Sequence, residues 1–324
     1  MKIWSLTLTL LVFTSLAAFA TKKDEFTTYI KTSQCAEDAA DLFDPSYALN
    51  FGEFKGKCLD TSTVRPPVIL NHDDQIIEIA NFYHNGRFWI ARLPKNQVVT
   101  VIFQGVPFGS ELGGFVITAH GQLRLQFSTP VELRSQSGTD DLRGAVSDII
   151  ISSTITKPRG IGYSVTKGTS YGLATRFLST TARSVEEVFE DQSNIHQYKL
   201  DLTPEKMNRV LLAAVIESNN IGYFDRYGLL RNNCATQTLD MLDAAIPRPP
   251  GVKPFKGSLL DLRDVVEKPA LEQLKLRNIK YTRINDLNTE VLCAEPGDRL
   301  AGQLIKRAQV GKASAVCKFK SELF

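Results

Sequence analysis

The chain has 324 residues, of which 43% are hydrophobic and 23% are charged, and its formal net charge is +3. This composition suffices for a substantial core, and the length indicates one large domain or one domain with extensions. Because basic and acidic residues are interspersed and no block of Lys and Arg occurs, we exclude nucleic acid as a partner.

The N-terminus has the pattern of a cleavable signal peptide. A positive start at Met1-Lys2 precedes a run of apolar and hydroxyl-bearing residues from Ile3 to Leu16, and Ala18-Phe19-Ala20 is a small-x-small cleavage site. The alternative, a membrane anchor, is disfavoured because the run is short and ends in a cleavage motif. The longest later apolar run, Val210 to Ile216, is also too short to span a bilayer. We therefore expect a periplasmic protein without a transmembrane segment after signal removal.

Five cysteines occur, and in an oxidising compartment an odd count leaves one outside the disulfides. Cys35 and Cys58 are close in the N-terminal region, and Cys293 and Cys317 are close in the C-terminal tail. We predict the disulfides Cys35–Cys58 and Cys293–Cys317, each closing a loop of about 25 residues and contributing ~3 kcal/mol on the loop-entropy model. Cys234 then keeps a reduced thiol.

In chain order, the pattern changes from helix and loop to strands and then to alternating helices and strands. The predicted strands are Ala80–Tyr83, Phe88–Leu93, Gln97–Phe103, Phe115–Phe127, Asp148–Ile155 and His196–Leu202. The predicted helices are Gln34–Phe43, residues 184–190, Pro204–Ser218, Cys234–Ile246 and Leu259–Asn278, and residues 157–180 are expected to form a long loop near the site. The class is α+β, with a mostly antiparallel sheet packed against the cysteine helix.

Cys234 opens an amphipathic segment in which Ala235, Leu239 and Leu242 recur at helical spacing. The preceding Asn233 is a typical N-cap residue, so the thiol is expected in the first turn of a helix. Backbone N–H groups and the helix dipole favour a thiolate there, which is the environment of a nucleophilic cysteine.

A thiol nucleophile usually transfers its proton to an imidazole. The strand Phe115–Phe127 places His120 on a polar face with Gln122, Arg124 and Gln126, where a helix crossing that face would bring the thiol near the ring. A solvent-facing strand histidine is the equally weighted alternative. We expect His84 beside the Asn85-Gly86 turn to be exposed.

The other histidines predict no metal site. His72, in an Asn-His-Asp-Asp loop, lacks a second histidine at ligand spacing, and His196 is expected on a surface strand. We predict no metal and no cofactor.

A third group often orients the imidazole, and Asp148 is the first choice, with Gln122 and Gln126 as weaker options. Arg124 is a candidate for stabilising an oxyanion or binding an acidic group. A salt bridge with Glu132 or Asp141 is its structural alternative. Asn233 and Tyr227 are further candidates for substrate binding, with simple packing as the alternative for the tyrosine.

Three segments resemble a bacterial periplasmic domain family that also forms the N-terminal part of one type of lipoprotein N-acyltransferase. They are His120-Gly-Gln-Leu123-Arg124, the segment from Tyr198 to Glu205, and Tyr227-Gly-Leu-Leu-Arg-Asn-Asn233-Cys234. The family is similar to permuted NlpC-type, papain-like thiol hydrolases, in which the histidine strand precedes the cysteine helix. The resemblance implies a Cys234–His120 dyad. The family's Phe-Gly pair before the histidine is replaced here by Thr118-Ala119.

The predicted organisation is a signal peptide (1–20), an N-terminal extension (21–96), a papain-like thiol domain (97–250) and a C-terminal extension (251–324). The expected function is cysteine-dependent acyl transfer on a cell-envelope substrate, a peptidoglycan peptide or a lipoprotein, with water or an amine as acceptor. The alternative is a non-catalytic envelope binding module that keeps the fold. A redox thiol ranks last, because no Cys-x-x-Cys pair is present.

Overall fold

The computed structural model describes residues 29–31, 33–36, 41, 43–44, 47–108, 118–137, 141–228, 232–255 and 267–293. Within these ranges the chain is a mixed α+β protein rich in strands, which confirms the predicted class. The predicted signal peptide, residues 115–117 of the predicted long strand and Cys317 lie outside the described residues.

The strands are β1 (Tyr29–Lys31), β2 (Tyr47–Leu49), β3 (Val68–His72), β4 (Ile76–His84), β5 (Arg87–Pro94), β6 (Val98–Phe108), β7 (Thr118–Ser135), β8 (Arg143–Thr156), β9 (Gly172–Ser179), β10 (His196–Leu200), β11 (Asp225–Arg226) and β12 (Tyr281–Arg283). The helices are α1 (Ser33–Ala36), α2 (Thr180–Ser184), α3 (Pro204–Ile221), α4 (Cys234–Ala245), α5 (Glu267–Leu276) and α6 (Leu287–Leu292). A 3-10 helix spans Val165–Ser170, and a π-helix spans Val185–Glu190.

Five strands close into a barrel in the order β4, β5, β7, β8, β9 and back to β4. All these neighbours are antiparallel except β4 and β9, which are parallel. Strands β6, β10 and β12 extend the sheet from the first half of β7. β7 thus belongs both to the barrel and to this extension. Its first half lies between β6 and β8, and hydrogen bonds to these two strands hold it rigidly.

β7 is longer than predicted. Its pairing with β8 shifts register between Gln126 and Val131, and the strand then continues to Ser135. This bulge contains Pro130, which lacks the N–H that a regular ladder requires. The prediction ended the strand at Phe127, whereas the bulge accommodates the proline and the strand continues.

The main core joins alternate apolar side chains of the barrel strands to helices α3 and α4. From β7 it includes Leu123, Leu125 and Phe127, which are all at most 1% exposed. The predicted apolar face of this strand is thus confirmed for these residues, and burying a side chain of this size contributes about 1.5–3 kcal/mol.

The loop predicted for residues 157–180 is wrong over its second half. Residues Gly172–Ser179 form β9, and all eight are buried. The composition, rich in glycine and hydroxyl residues, indicated a loop. In the structure β9 is a strand of the barrel wall, paired with β8 and β4. A strand buried on both faces shows no alternation, so its periodicity gave no signal.

The predicted disulfide between Cys35 and Cys58 is confirmed. It lies in an N-terminal unit where Arg65 is buried and binds Asp41 at 2.8 Å and Asp44 at 3.0 Å. Cys293, the residue after α6, is also disulfide-bonded. Strands β3 to β5 fall within the predicted N-terminal extension, yet β4 and β5 complete the barrel. None of the helices in the described ranges combines the length and apolar character needed to cross a bilayer.

Candidate active site

Cys234 is the first residue of α4, and the start of this helix is held by a capping box. The side-chain oxygen of Asn233 accepts hydrogen bonds from the N–H groups of Ala235 and Thr236, both at 3.0 Å. The Thr236 hydroxyl accepts one from the Asn233 N–H at 2.9 Å. The predicted N-cap is confirmed, and it uses the Asn233 oxygen that had been a candidate for substrate binding.

Helix α4 packs closely on β7 at Gly121. The Thr238 hydroxyl donates to the Gly121 carbonyl at 3.0 Å, and a Cβ at Gly121 would lie 3.1 Å from Cα of Ala235. The helix therefore lies on the side to which residue 121 points, opposite the side chain of His120. The expectation that the helix crosses the histidine's own face is wrong, because only the residue without a side chain admits so close a backbone.

His120 is buried, with 7% of its surface exposed, so the alternative of a solvent-facing strand histidine is wrong. Its Nε2 lies 2.7 Å from Oγ of Ser152, which β8 places at 0% exposure. The Gln122 side chain also hydrogen-bonds the His120 ring. The ring is thus held by neighbours from two rigid strands.

A cavity of about 220 Å³ brings the two candidate residues together, since both Cys234 and His120 line it. Aromatic, apolar, hydroxyl and charged side chains form the rest of the wall: Ser153, Thr154, Ile155, Tyr163, Leu173, Arg183, Glu187, Asp191 and Tyr227. The space is small but mixed in character, as is typical of a site that orients a polar group next to an apolar one.

Burial raises the pKa of the Cys234 thiol above its ordinary value. The N–H groups of Gly121, Ala235 and Cys234 itself, together with the Arg183 guanidinium, act in the opposite direction but do not outweigh it. The helix start thus favours the thiolate as predicted, while desolvation decides the net direction. Cys234 forms no disulfide and keeps its thiol.

Burial also lowers the pKa of His120 well below its ordinary value, and the charges of Arg183 and Arg176 add to that shift. The hydrogen bond with Gln122 opposes it. At neutral pH the site therefore holds a neutral imidazole and a thiol, ready for a proton transfer from sulfur to nitrogen when a reaction compensates the cost of charge.

Tyr227 lines the cavity, as expected, and its hydroxyl hydrogen-bonds that of Tyr163. Burial raises the pKa of Tyr227, and a negative charge on Cys234 would raise it further. Both hydroxyls therefore stay protonated and provide polar groups beside the thiol.

Asp148 does not orient the imidazole, and that prediction is wrong. Asp148 pairs with Gln126 across the β7–β8 ladder, six residues along β7 from His120, which is roughly 20 Å of strand. The carboxylate instead binds Arg124, whose Nε lies 3.1 Å from Oδ2. Ser152, four residues farther along the same face of β8, lies beside the ring instead.

Arg124 is not available for substrate or an oxyanion, because it is 0% exposed. Besides Asp148 it binds Glu290 of α6, at 2.7 Å, and Gln197 of β10, at 3.0 Å. A salt bridge was the structural alternative, but its partners are Asp148 and Glu290 rather than Glu132 or Asp141. Arg124 thus anchors α6 to the sheet.

Ser152, which hydrogen-bonds the His120 ring, and Arg183, which lines the cavity, are residues of the site that the sequence did not single out. Ser152 follows Asp148 at an even spacing in a predicted strand, so it shares that face, and this signal could have nominated it. Arg183 precedes Glu186 and Glu187 at i+3 and i+4, a spacing typical of a helical ion-pair cluster. His84 was expected to be exposed, but it is buried with its Nδ1 2.7 Å from Oγ of Ser179.

A family model described as the Lnb N-terminal periplasmic domain matches residues 104–266, just over half of the chain. The chain belongs to this family. The match includes β7, β8, β9 and α4, so it contains all the side chains that form the cavity around Cys234. The predicted membership in a periplasmic domain family is confirmed. No curated protein and no solved structure gives a significant match to the chain.

Proposed function

We propose that this protein is a periplasmic thiol enzyme that transfers an acyl group through Cys234 and His120. The observation that carries the proposal is their meeting in one cavity, with the thiol on a capped helix start and the imidazole anchored on Ser152. The order of a histidine strand before a cysteine helix agrees with a permuted NlpC-type, papain-like arrangement, which we propose for the fold.

In the proposed reaction the His120 ring accepts the proton of Cys234, and the sulfur attacks the carbonyl carbon of an amide or ester. The resulting oxyanion is stabilised by the backbone N–H of Cys234, since those of Ala235 and Thr236 donate to the Asn233 cap. The imidazolium returns its proton to the leaving amine or alcohol, and a thioester remains on Cys234. Water then releases an acid, or an amine accepts the acyl group, with His120 again taking the proton.

The proposed substrate belongs to the cell envelope: a peptide of peptidoglycan or a lipoprotein. Periplasmic localisation and a cavity with both apolar and hydroxyl-bearing walls support this choice. We also propose that residues 1–20 are a cleavable signal peptide. The acyl acceptor is water in a hydrolase and an amine in an acyltransferase.

An activity probe directed at thiols tests the mechanism. The folded protein is incubated with a probe bearing an electrophilic carbonyl, and the modified peptide is identified by mass spectrometry. We expect the label on Cys234, and we expect Cys234→Ala and His120→Ala to lose it. Labelling of His120→Ala at the rate of the unmodified chain would refute the dyad.

The burial of the sulfur favours a second candidate, a non-catalytic binding module. Cys234 is only 8% exposed and its pKa is raised by burial, which is the environment of an inert structural cysteine. A Cys234→Ser variant keeps the shape and removes the nucleophile. Full complementation of a deletion strain by this variant would establish the binding module and exclude the enzyme, whereas loss of function at normal protein levels would support the enzyme.

A further inference from the structure

Arg183 is a buried charge in the wall of the cavity, with 6% of its surface exposed. It lies at the end of α2, where the chain changes from an α-helix to the π-helix Val185–Glu190. Such π-helical segments are rare, and they occur frequently at functional sites.

The guanidinium is held in three directions. Its Nε donates to Oε1 of Gln122 at 2.9 Å, its Nη1 to Oε2 of Glu186 at 3.1 Å and its Nη2 to Oε1 of Glu187 at 2.8 Å. The three bonds start from three different nitrogens of the planar guanidinium, an arrangement that the single nitrogen of a lysine does not reproduce. The side chain therefore has one well-defined position beside the cavity.

The bond to Gln122 connects Arg183 to the imidazole. Gln122 is 0% exposed on β7, two residues from His120, and hydrogen-bonds its ring. Its Nε2 in turn donates to Oε1 of Gln104 at 2.7 Å, so the carboxamide has a fixed direction. Any displacement of the guanidinium changes the group that holds the histidine.

The ion pairs alone do not account for a buried arginine here. Glu186 is shared, since Arg176 also binds it, with Nη1–Oε1 at 3.0 Å. Arg176, Arg183 and Glu187 are thus buried with Glu186 partly buried beside them, and clusters of this kind often contribute no more stability than apolar packing of the same volume. A role in the site is a physical reason for keeping them.

We propose that Arg183 is a positioning residue of this site, which fixes His120 through Gln122 and supplies the positive charge next to which the Cys234 thiolate forms. This inference rests on the proposed thiol function. The titratable and charged groups that line the cavity together with Cys234 are His120 from β7, Arg183, Glu187 and Asp191 from α2 and the π-helical segment, and Tyr163 and Tyr227 from the connecting segments. Among these cavity-lining residues, Arg183 is the side chain with a permanent positive charge.

The electrostatic direction agrees with this geometry. The Arg183 charge lowers the pKa of Cys234, against the larger effect of burial, and it also lowers the pKa of His120. Removing the charge is therefore expected to make the thiolate rarer, while removing the opposing charge of Glu187 is expected to make it more frequent.

The test is the rate of Cys234 alkylation by iodoacetamide as a function of pH, measured on the full chain. We expect Arg183→Gln to move the midpoint to higher pH and to reduce the rate at pH 7 about tenfold, in proportion to the thiolate fraction. Arg183→Lys keeps the charge and should restore most of the midpoint, but it should alter the ring NMR signals of His120, because the fork to Gln122 is lost.

Glu187→Gln provides a prediction of opposite sign, with the midpoint at lower pH and faster alkylation. If Arg183→Gln does not fold, the shift of the alkylation midpoint in Glu187→Gln still tests the inference. Arg277→Gln is the matched control, because it removes another buried arginine, bound to Asp243 at 2.6 Å, that does not line the cavity, and its midpoint should stay in place.

Equal midpoints in Glu187→Gln, Arg183→Lys and the unmodified chain, with unchanged His120 signals, would overturn the inference. That result is distinct from failure of the proposed function. If Cys234→Ser complements a deletion strain, the enzyme is excluded, although the midpoints can still shift. If the midpoints stay fixed while Cys234 reacts with the acyl probe, only the role of Arg183 is wrong.

Discussion

Gly121 is the position where one added methyl group tests the geometry of the site. A Cβ there would lie 3.1 Å from Cα of Ala235, 3.4 Å from its Cβ and 3.6 Å from Cζ of Phe103. The nearest atom belongs to the backbone of α4, which cannot rotate away as a side chain can. Gly121→Ala must therefore move α4 away from β7 by a few tenths of an ångström.

Two effects set the size of the change in stability. Overpacking of a core contact costs about 1–3 kcal/mol, whereas alanine is more favourable than glycine within a strand by about 0.5–1 kcal/mol. The expected net loss in the free energy of unfolding is about 0–2.5 kcal/mol. Because α4 carries the thiol and the Thr238–Gly121 bond, the displacement should also slow the reaction of Cys234 with the carbonyl probe.

Gly144→Ala is the matched control. Gly144 lies in β8, and a Cβ there would meet only side-chain atoms of Leu133, at 3.8 Å, which is an ordinary contact. Both variants share the backbone gain, so the difference between their unfolding free energies in urea isolates the packing term, about 1–3 kcal/mol. Equal stability of the two variants, with unchanged labelling of Cys234, would refute the close approach of α4 to β7.

Three further perturbations test the environment of the site and of the core. Ser152→Ala removes the hydroxyl beside Nε2 of His120 and should slow probe labelling about tenfold without loss of fold. The control Ser184→Ala removes a buried hydroxyl that donates to the Thr180 carbonyl at 2.8 Å, and it should leave the labelling rate unchanged. Equal labelling rates in the two variants would contradict the anchoring of His120 by Ser152. Arg124→Met removes the cation that Asp148 and Glu290 bind and should lower the free energy of unfolding in urea by about 3–5 kcal/mol. The control Arg92→Met breaks an exposed ion pair with Glu132 and should lower it by less than about 1 kcal/mol. Similar losses in the two variants would show that the Arg124 network is not stabilising. Burial lowers the pKa of His84 from 6.5 to about 4, so the unfolded state binds a proton at a higher pH than the folded state does. The contribution of His84 to the free energy of unfolding is therefore fully present above pH 6.5. It is lost as the pH falls toward 4, by at most about 3 kcal/mol. The comparison of unfolding free energies at pH 7 and pH 5 in His84→Asn and the unmodified chain measures this term, and an unchanged difference between the two pH values in the variant would exclude it.

The sequence already contained much of the local structure of the site. Asn233, Cys234 and the apolar spacing after them predict a capped helix because these signals are local: the cap bonds reach only three residues along the chain. The same holds for the alternation in β7 and for the pairing of Cys35 with Cys58, which are close in sequence. Family membership followed from short motifs around His120 and Cys234, and the family match agrees with it.

Contacts between distant segments were decided only by the tertiary structure. Whether Ser152 or Asp148 lies beside His120 depends on the register between β7 and β8, and a strand face alone does not define that register. Likewise, β9 has no periodicity because it is buried on both faces in a closed barrel, and Arg183 lines the cavity from α2, which directly follows β9. The sequence by itself thus determined Cys234 and His120 as the candidate residues and the capped helix that Cys234 opens. Their partners depend on barrel closure, which joins residues far apart in the chain through packing that no local pattern encodes.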